Sequence, residues 1–323
     1  MESVPLALDR RTLLGAGAAT LVAAPALAQV TPAPERIPLW PGRPPGEPAA
    51  GVKDVVIQRS KTPGDLAWTS VGDPVLVVAR PAKPNGAAVL LIPGGGYTRV
   101  ATRREPGATA LDLARRGYVA FELLYRLPHD GWAAGPDAPL QDAQRAIRLI
   151  RAGAGRRWAI DPAKVGVMGF SAGGHLAARI ATRFALRTYD PVDAADALSA
   201  RPMVAGLFYP VVTMLDDGVH ASSRRELLGS RLGDAAWQRR YSAQLDIPSD
   251  AAPCFVTTNT DDKTVPAANS LLMYAGLAAA KIPAELHIFD HGGHGPPAAR
   301  KTGQPIDWLG MYLAFIADQG MPG

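Results

Sequence analysis

Short apolar runs open the folded part of this chain, and a regular alternation follows them. Val55-Val56-Ile57, Val75-Leu76-Val77-Val78 and the run from Ala87 to Pro93 have the composition of strands. A helix is predicted over 105–116, closed by Gly117, then a strand at 118–124. Ala143, Ile147 and Ile150 share one face of a predicted helix at about 138–153. A strand at 164–168 and a helical pattern from His175 to Phe184 come next. Strands at Val204 to Phe208 and Cys254 to Thr258, a helix at about 267–280, a strand at Glu285 to Phe289 and a helix at about 306–317 complete the series. Strands alternating with helices predict an α/β fold with a mostly parallel sheet covered on both faces. No internal repeat is present.

Three segments depart from that alternation. Asp9-Arg10-Arg11-Thr12-Leu13-Leu14 opens an apolar, Ala/Gly-rich run, and Ala26-Leu27-Ala28 offers a small-residue cleavage site. Twin arginines, an apolar region and an A-x-A end predict a Tat-type signal peptide at 1–28, hence a periplasmic or secreted protein. The run is too short and too rich in Gly and Ala to read as a membrane anchor, so no membrane contact is expected after cleavage. Residues 29–50, rich in Pro, Gly and Ala, predict an extended N-terminal arm over a single domain at 51–323. Residues 212–250 are polar and read as an insertion. A surface excursion and a lid over the carboxyl edge of the sheet are both open for it.

Composition narrows the function classes. The chain has 323 residues, 34 Lys and Arg against 29 Asp and Glu, and a net charge of +5. The charges are scattered rather than blocked, which carries no nucleic-acid signature. Cys254 is the only cysteine, so an intrachain disulfide is excluded.

The candidate chemistry centres on Gly169-Phe170-Ser171-Ala172-Gly173. Gly-x-Ser-x-Gly alone carries little weight in a chain with 33 glycines. Its place between a strand and a helix makes it a nucleophile elbow, in which a side chain at 169 or 173 would strike neighbouring backbone. A serine hydroxyl is a poor nucleophile and needs a base oriented by a carboxylate. Asp261-Asp262 follows the strand at 254–258, and Gly292-Gly293-His294-Gly295 follows the strand at 285–289. Serine, acid, histidine in that order, each past a strand end, is the order of an α/β-hydrolase. Asp262 fits the spacing Asp-x-x-Val-Pro, with Asp261 as a turn or capping residue, and either can be the acid. His294, framed by glycines, is the expected base, and His291 a support for its loop. A metal on His291 and His294 lacks the acidic or cysteine ligands that zinc spacing requires. For the oxyanion, Pro93-Gly94-Gly95-Gly96-Tyr97 ends a strand in three glycines. The Gly95, Gly96 and Ala172 amides are the expected donors. The loop has neither G-x-G-x-x-G nor a Gly-Lys-Ser/Thr ending, so it is not read as a phosphate loop. Tyr97 is taken as a substrate-binding residue, with packing as the competing role. Arg126 is expected to anchor local structure, His175 to bond beneath the elbow, and Trp132 and Trp308 to pack in the core rather than stack on sugar.

Six segments appear in order: Pro93–Tyr97, Tyr125-Arg126-Leu127, Asp142–Ala146, Gly169–Leu176, Asp261–Pro266 and Gly292–Gly295. Together they resemble bacterial carbohydrate esterases of the α/β-hydrolase fold: the acetylxylan-esterase-like and feruloyl-esterase-like, xylanase B-like proteins. The likeness runs over about 35–318. It implies Ser171 as nucleophile, His294 as base, an aspartate of the 261–262 pair as partner, and the Gly94–Gly96 loop in the oxyanion hole. Two positions depart from the pattern. Pro93 stands where a histidine often begins such glycine loops. Thr258-Asn259-Thr260 replaces a His-Gly or His-Thr start before the acid. The expected function is a cofactor-independent serine esterase acting on acetylated carbohydrate of xylan type or another small ester. Feruloyl or short-chain carboxylesterase activity is the first alternative, and a non-catalytic carbohydrate-binding protein a distant third.

Overall fold

In chain order the strands are β1 (Glu35–Pro38), β2 (Val55–Gln58), β3 (Leu66–Ser70), β4 (Val75–Ala79), β5 (Ala88–Ile92), β6 (Val119–Leu124), β7 (Val165–Phe170), β8 (Ala205–Phe208), β9 (Cys254–Asn259) and β10 (Ala284–Phe289). The helices are α1 (Ala108–Arg115), α2 (Ala138–Gly153), α3 (Ala172–Arg183), α4 (Ala221–Leu228), α5 (Ala235–Tyr241), α6 (Ala268–Ala279) and α7 (Trp308–Asp318). This is a computed structural model, and it describes residues 34–322. The expected signal peptide at 1–28 lies outside the described residues, as do residues 29–33 of the expected arm. From Pro34 onward the chain forms one compact unit.

Eight strands make one sheet in the order β1-β4-β6-β5-β7-β8-β9-β10. β1 and β4 run antiparallel to their neighbours, and β6 through β10 are parallel. Strands β4 to β9 are buried almost throughout, which is why they read as continuous apolar runs rather than alternating ones. One face packs on α2, α3 and α6 through Ile147, Leu176 and Leu277. The other packs on α1 and α7 through Leu113, Tyr312 and Ile316. Each large apolar side chain buried in these layers contributes roughly 1.5–3 kcal/mol.

The observed elements follow the predicted ones with three differences. The arm is not merely draped: Glu35–Pro38 joins the sheet as its edge strand β1, where Pro38 costs no ladder bond inside the sheet. β2 pairs with β3 in a separate two-stranded sheet, and β3 had no counterpart in the sequence pattern. α3 begins at Ala172 rather than His175, because Gly173 and Gly174 sit in its first turn despite their poor helix propensity.

The register sets up the site. Ile92 pairs with Gly169, so the loop after β5 and the elbow after β7 leave the sheet side by side. Asn259 pairs with Phe289, so the segments after β9 and β10 leave it together. Among the described residues no helix is long and apolar enough to cross a membrane.

Candidate active site

The elbow is a strained turn. Ser171 has φ 56° and ψ −121°, a conformation that ordinary residues avoid and that needs the surrounding structure to hold it. Its amide donates to the Phe208 carbonyl at 3.0 Å, and its carbonyl accepts from the Val211 amide at 3.1 Å. A methyl on Gly169 would lie 2.2 Å from the Gly173 carbonyl oxygen, and one on Gly173 2.2 Å from that of Ile92. The two glycines are therefore required by close backbone approach, as the pentapeptide implied.

His294 meets Ser171. Its Nε2 lies 2.9 Å from Ser171 Oγ, and its Nδ1 lies 2.7 Å from Asp262 Oδ2. The Asp262 side chain is sealed from solvent. Its other oxygen, Oδ1, accepts from the Thr264 and Val265 amides at 2.8 and 3.0 Å. A buried carboxylate so bonded is held in one orientation.

Asp261 faces the other way. It is exposed; its Oδ1 accepts from the Gly293 amide at 2.8 Å, and its Oδ2 lies 3.0 Å from His291 Nδ1. The Gly293 N–H, more than any other group, lowers the Asp261 carboxyl below its ordinary range. So Asp261 and His291 fasten the loop that carries His294, a stronger role than the turn or cap expected of Asp261.

Asn259 supplies the rest of that fastening. Fully buried at the end of β9, it donates from Nδ2 to the Gly293 and Gly295 carbonyls, both at 2.8 Å, and so spans His294. A sequence signal was present: Asn259 lies in the Thr258-Asn259-Thr260 stretch that departs from the start the family resemblance implies before the acid.

The glycine loop lies against the elbow. A methyl on Gly94 would come within 2.9 Å of Ser171 Cβ. Gly95 adopts φ 137°, and a side chain there would meet the Arg99 carbonyl at 2.0 Å. Among the described residues, no backbone or side-chain acceptor takes the Gly95, Gly96 or Ala172 amide. These three N–H groups stay available beside Ser171.

Tyr97 corrects an expectation. It does not line the cavity: the side chain is 1% exposed, and its hydroxyl lies 2.7 Å from His175 Nδ1. With φ 60°, the turn swings the ring inward. His175 Nε2 lies 2.7 Å from the Tyr241 carbonyl, which can only accept, so Nε2 carries the proton and Nδ1 accepts from Tyr97. Burial pushes His175 down to about 3, which keeps it neutral. His175 thus bonds beneath the elbow as expected, and Tyr97 locks the glycine loop to α3. Arg126 is buried in an ion pair with Asp142, and Trp132 lies under its guanidinium, 4.8 Å from ring centre to Cζ. Trp308 packs on Phe170 and Phe208. All three serve the core.

Two further residues border the site without a sequence signal. Tyr209, just past β8, sets its ring edge-on to His294 at 4.8 Å. Burial, and then the Asp262 carboxylate, raise its hydroxyl well above the ordinary value. His220, in the 212–250 insertion, lines the same cavity. That cavity, about 710 Å³, is lined by Ser171 and His294 together with Thr98, Arg99, Arg103 and Glu122. Among the described residues, no group of three or more His, Cys, Asp or Glu is gathered as a metal site.

Comparison with known proteins places the chain in a family. The BD-FAE family profile matches residues 76–277. An acetylxylan esterase of Xylanibacter ruminicola is 34% identical over 229 residues, 69% of this chain and 44% of that protein. The endo-1,4-beta-xylanase B of Butyrivibrio fibrisolvens is 35% identical over 207 residues, 64% of this chain and 32% of that protein. The chain thus spans less than half the length of the curated relatives it matches. The crystal structure of an acetyl ester-xyloside bifunctional hydrolase from Caldicellulosiruptor lactoaceticus is 32% identical with a TM-score of 0.71, covering 92% of this chain and 100% of that one. With the family profile matched over most of the sheet and a full-length structural relative at this identity, the chain belongs to the BD-FAE family of the α/β-hydrolase fold.

Proposed function

We propose that this chain is a serine esterase that removes acetyl groups from xylan-type carbohydrate fragments. The observation that carries the reading is the unbroken hydrogen-bond chain from Ser171 Oγ, on the cavity wall, through His294 to the sealed Asp262. In this reading His294 takes the Ser171 proton and Ser171 Oγ attacks the ester carbonyl. The Gly95, Gly96 and Ala172 amides receive the negative charge that develops on the carbonyl oxygen. His294 then passes its proton to the leaving sugar oxygen. An acetyl-enzyme remains, and water deprotonated by His294 attacks it, releasing acetate and freeing Ser171. The reaction calls for no cofactor. Asp262 accepts the Nδ1–H of His294, which leaves Nε2 free to take the serine proton, and it stabilises the cationic form of the imidazole.

The substrate side rests on the names of relatives: an acetylxylan esterase and an acetyl ester-xyloside hydrolase. A second reading, feruloyl or short-chain carboxylesterase, uses the same machinery and is favoured by a cavity of about 710 Å³, larger than an acetyl group needs. The test is a panel of acetylated xylo-oligosaccharides, methyl ferulate and p-nitrophenyl acetate. We expect the highest kcat/KM on the acetylated oligosaccharides, with Ser171→Ala lowering turnover by roughly four to six orders of magnitude. An unchanged rate in Ser171→Ala rejects the serine mechanism, and a preference for ferulate rejects the acetyl assignment.

The arginine pair and A-x-A end of residues 1–28 support export through the Tat route to the periplasm or beyond. Replacing Arg10-Arg11 with Lys-Lys should retain the precursor in the cytoplasm, as read by fractionation.

A further inference from the structure

The 212–250 insertion brings His220 and Ser222 to the cavity, and the triad reading leaves His220 without a task. His220 precedes α4, is half-buried and lines the cavity with Ser171 and His294. Its Nδ1 lies 2.8 Å from the hydroxyl of Ser223, which is fully buried. A buried hydroxyl needs an acceptor for its proton, and among the described residues His220 Nδ1 is the acceptor within reach of Ser223 Oγ. Burial, with the charge that His294 can carry close by, holds His220 below its ordinary value and therefore neutral. A neutral imidazole whose Nδ1 accepts carries its proton on Nε2. Among the described residues no protein group bonds that Nε2, and it is not sealed in the core, so its N–H is free for a ligand of the cavity that His220 lines.

The side of the cavity matters. His294, which delivers its proton to the leaving oxygen in this reading, lines the same cavity as His220, so a donor on that wall can meet the alcohol half of a bound ester. Ser222 lines the same wall. The start of α4 also abuts the glycine loop: Ser223 Oγ is 3.8 Å from where a methyl on Gly96 would stand.

We propose that His220 is a specificity residue whose Nε2–H receives a hydroxyl oxygen next to the ester on the alcohol half, so that the site selects monoesters of polyols over esters of simple alcohols. This deepens the esterase reading and rests on it. The insertion is then a wall of the substrate site.

Two small esters of nearly equal size isolate the effect: 2-hydroxyethyl acetate, which has the neighbouring hydroxyl, and propyl acetate, which has a methyl in its place. The wild-type chain should prefer the hydroxy ester by about tenfold in kcat/KM, the scale of one net hydrogen bond. In His220→Phe that ratio should fall to near one. His220→Gln, which keeps an N–H donor, should recover most of it. A merely structural role would lower both rates together and leave the ratio intact, which overturns the proposal. So does a wild-type ratio near one in an active chain. A wild-type chain inert to both esters, and to p-nitrophenyl acetate, overturns the esterase reading and this inference with it.

Discussion

Adjacent aspartates in one turn have opposite fates here, and the backbone decides between them. Asp262 points inward because Thr264 and Val265 present their amides to its Oδ1, which leaves Oδ2 for His294. Asp261 points outward to Gly293 and His291. Asp262→Asn should lower kcat by about four orders of magnitude, because an amide cannot hold the imidazole in the required tautomer. Asp261→Asn should cost far less, roughly tenfold, as the loop loosens. Burst kinetics with p-nitrophenyl acetate checks both. The meeting of Ser171 and His294 was legible because glycines frame both, whereas which aspartate faces His294 depends on a turn conformation that spacing does not encode. Tyr97 was misread for the same kind of reason, since φ 60° and not residue type sets its direction.

Glu122 makes a second prediction at this scale. It is nearly buried in β6, accepts from the Gly107 amide at 2.7 Å and borders the cavity. Burial raises its carboxyl above the ordinary value, against the pull of the Gly107 N–H and Arg103. The folded state thus binds the proton more tightly than the unfolded chain. Stability falls as pH rises from the ordinary value through the raised one. Glu122→Gln keeps an acceptor for Gly107 and removes the charge. Its melting temperature should match wild type below about pH 4 and exceed it by neutral pH, the gap opening as pH rises. A gap that is constant across that range would contradict the assignment.

At the scale of elements, the loop between β10 and α7 that carries His294 is held by the end of β9. Asn259 bonds the carbonyls on both sides of His294, and a methyl on Gly292 would come within 2.6 Å of its side chain. Asn259→Ala should leave the sheet folded but free the 292–295 segment. An error of about 1 Å in a base's position can cost up to 100-fold, so a loss of roughly 10- to 100-fold in kcat/KM is expected. Faster amide hydrogen exchange confined to this loop would identify the cause, and unchanged exchange with full activity would refute the clamp. The central elements were legible because both faces of the sheet are covered, so burial and apolar runs coincide. β1 and β3 were not. β1 is a four-residue edge strand ending in Pro38, and β3, Leu66-Ala67-Trp68-Thr69-Ser70, is held by pairing with β2 and has no long apolar run.

Across the whole molecule, one buried ionic network joins the N-terminal segment to the layer behind the site. Arg126 and Asp142 have fully buried side chains, with Arg126 Nε donating to Asp142 Oδ1 at 2.9 Å and the Arg126 amide to Oδ2 at 2.8 Å. Trp40 Nε1 donates to the same Oδ1 at 2.9 Å, and Arg126 Nη1 reaches the Pro45 carbonyl at 2.8 Å. Arg145, also on α2, donates from Nε to the Leu39 carbonyl at 2.8 Å. The segment that read as an extended arm is therefore bound into the fold by three polar groups as well as by β1. Removing one partner of a buried pair leaves the other charged and unpaired, which costs about 3–5 kcal/mol. Asp142→Ala strands the Arg126 guanidinium, its amide and the Trp40 indole together. Its melting temperature should fall by roughly 6–15 °C in a chain of this size. Arg126→Met combined with Asp142→Leu removes both charges and should recover much of that loss, because the desolvation penalty goes with them. A double variant as unstable as Asp142→Ala would mean that the hydrogen bonds to Trp40 and Pro45, rather than the ion pair, hold the N-terminal segment in place.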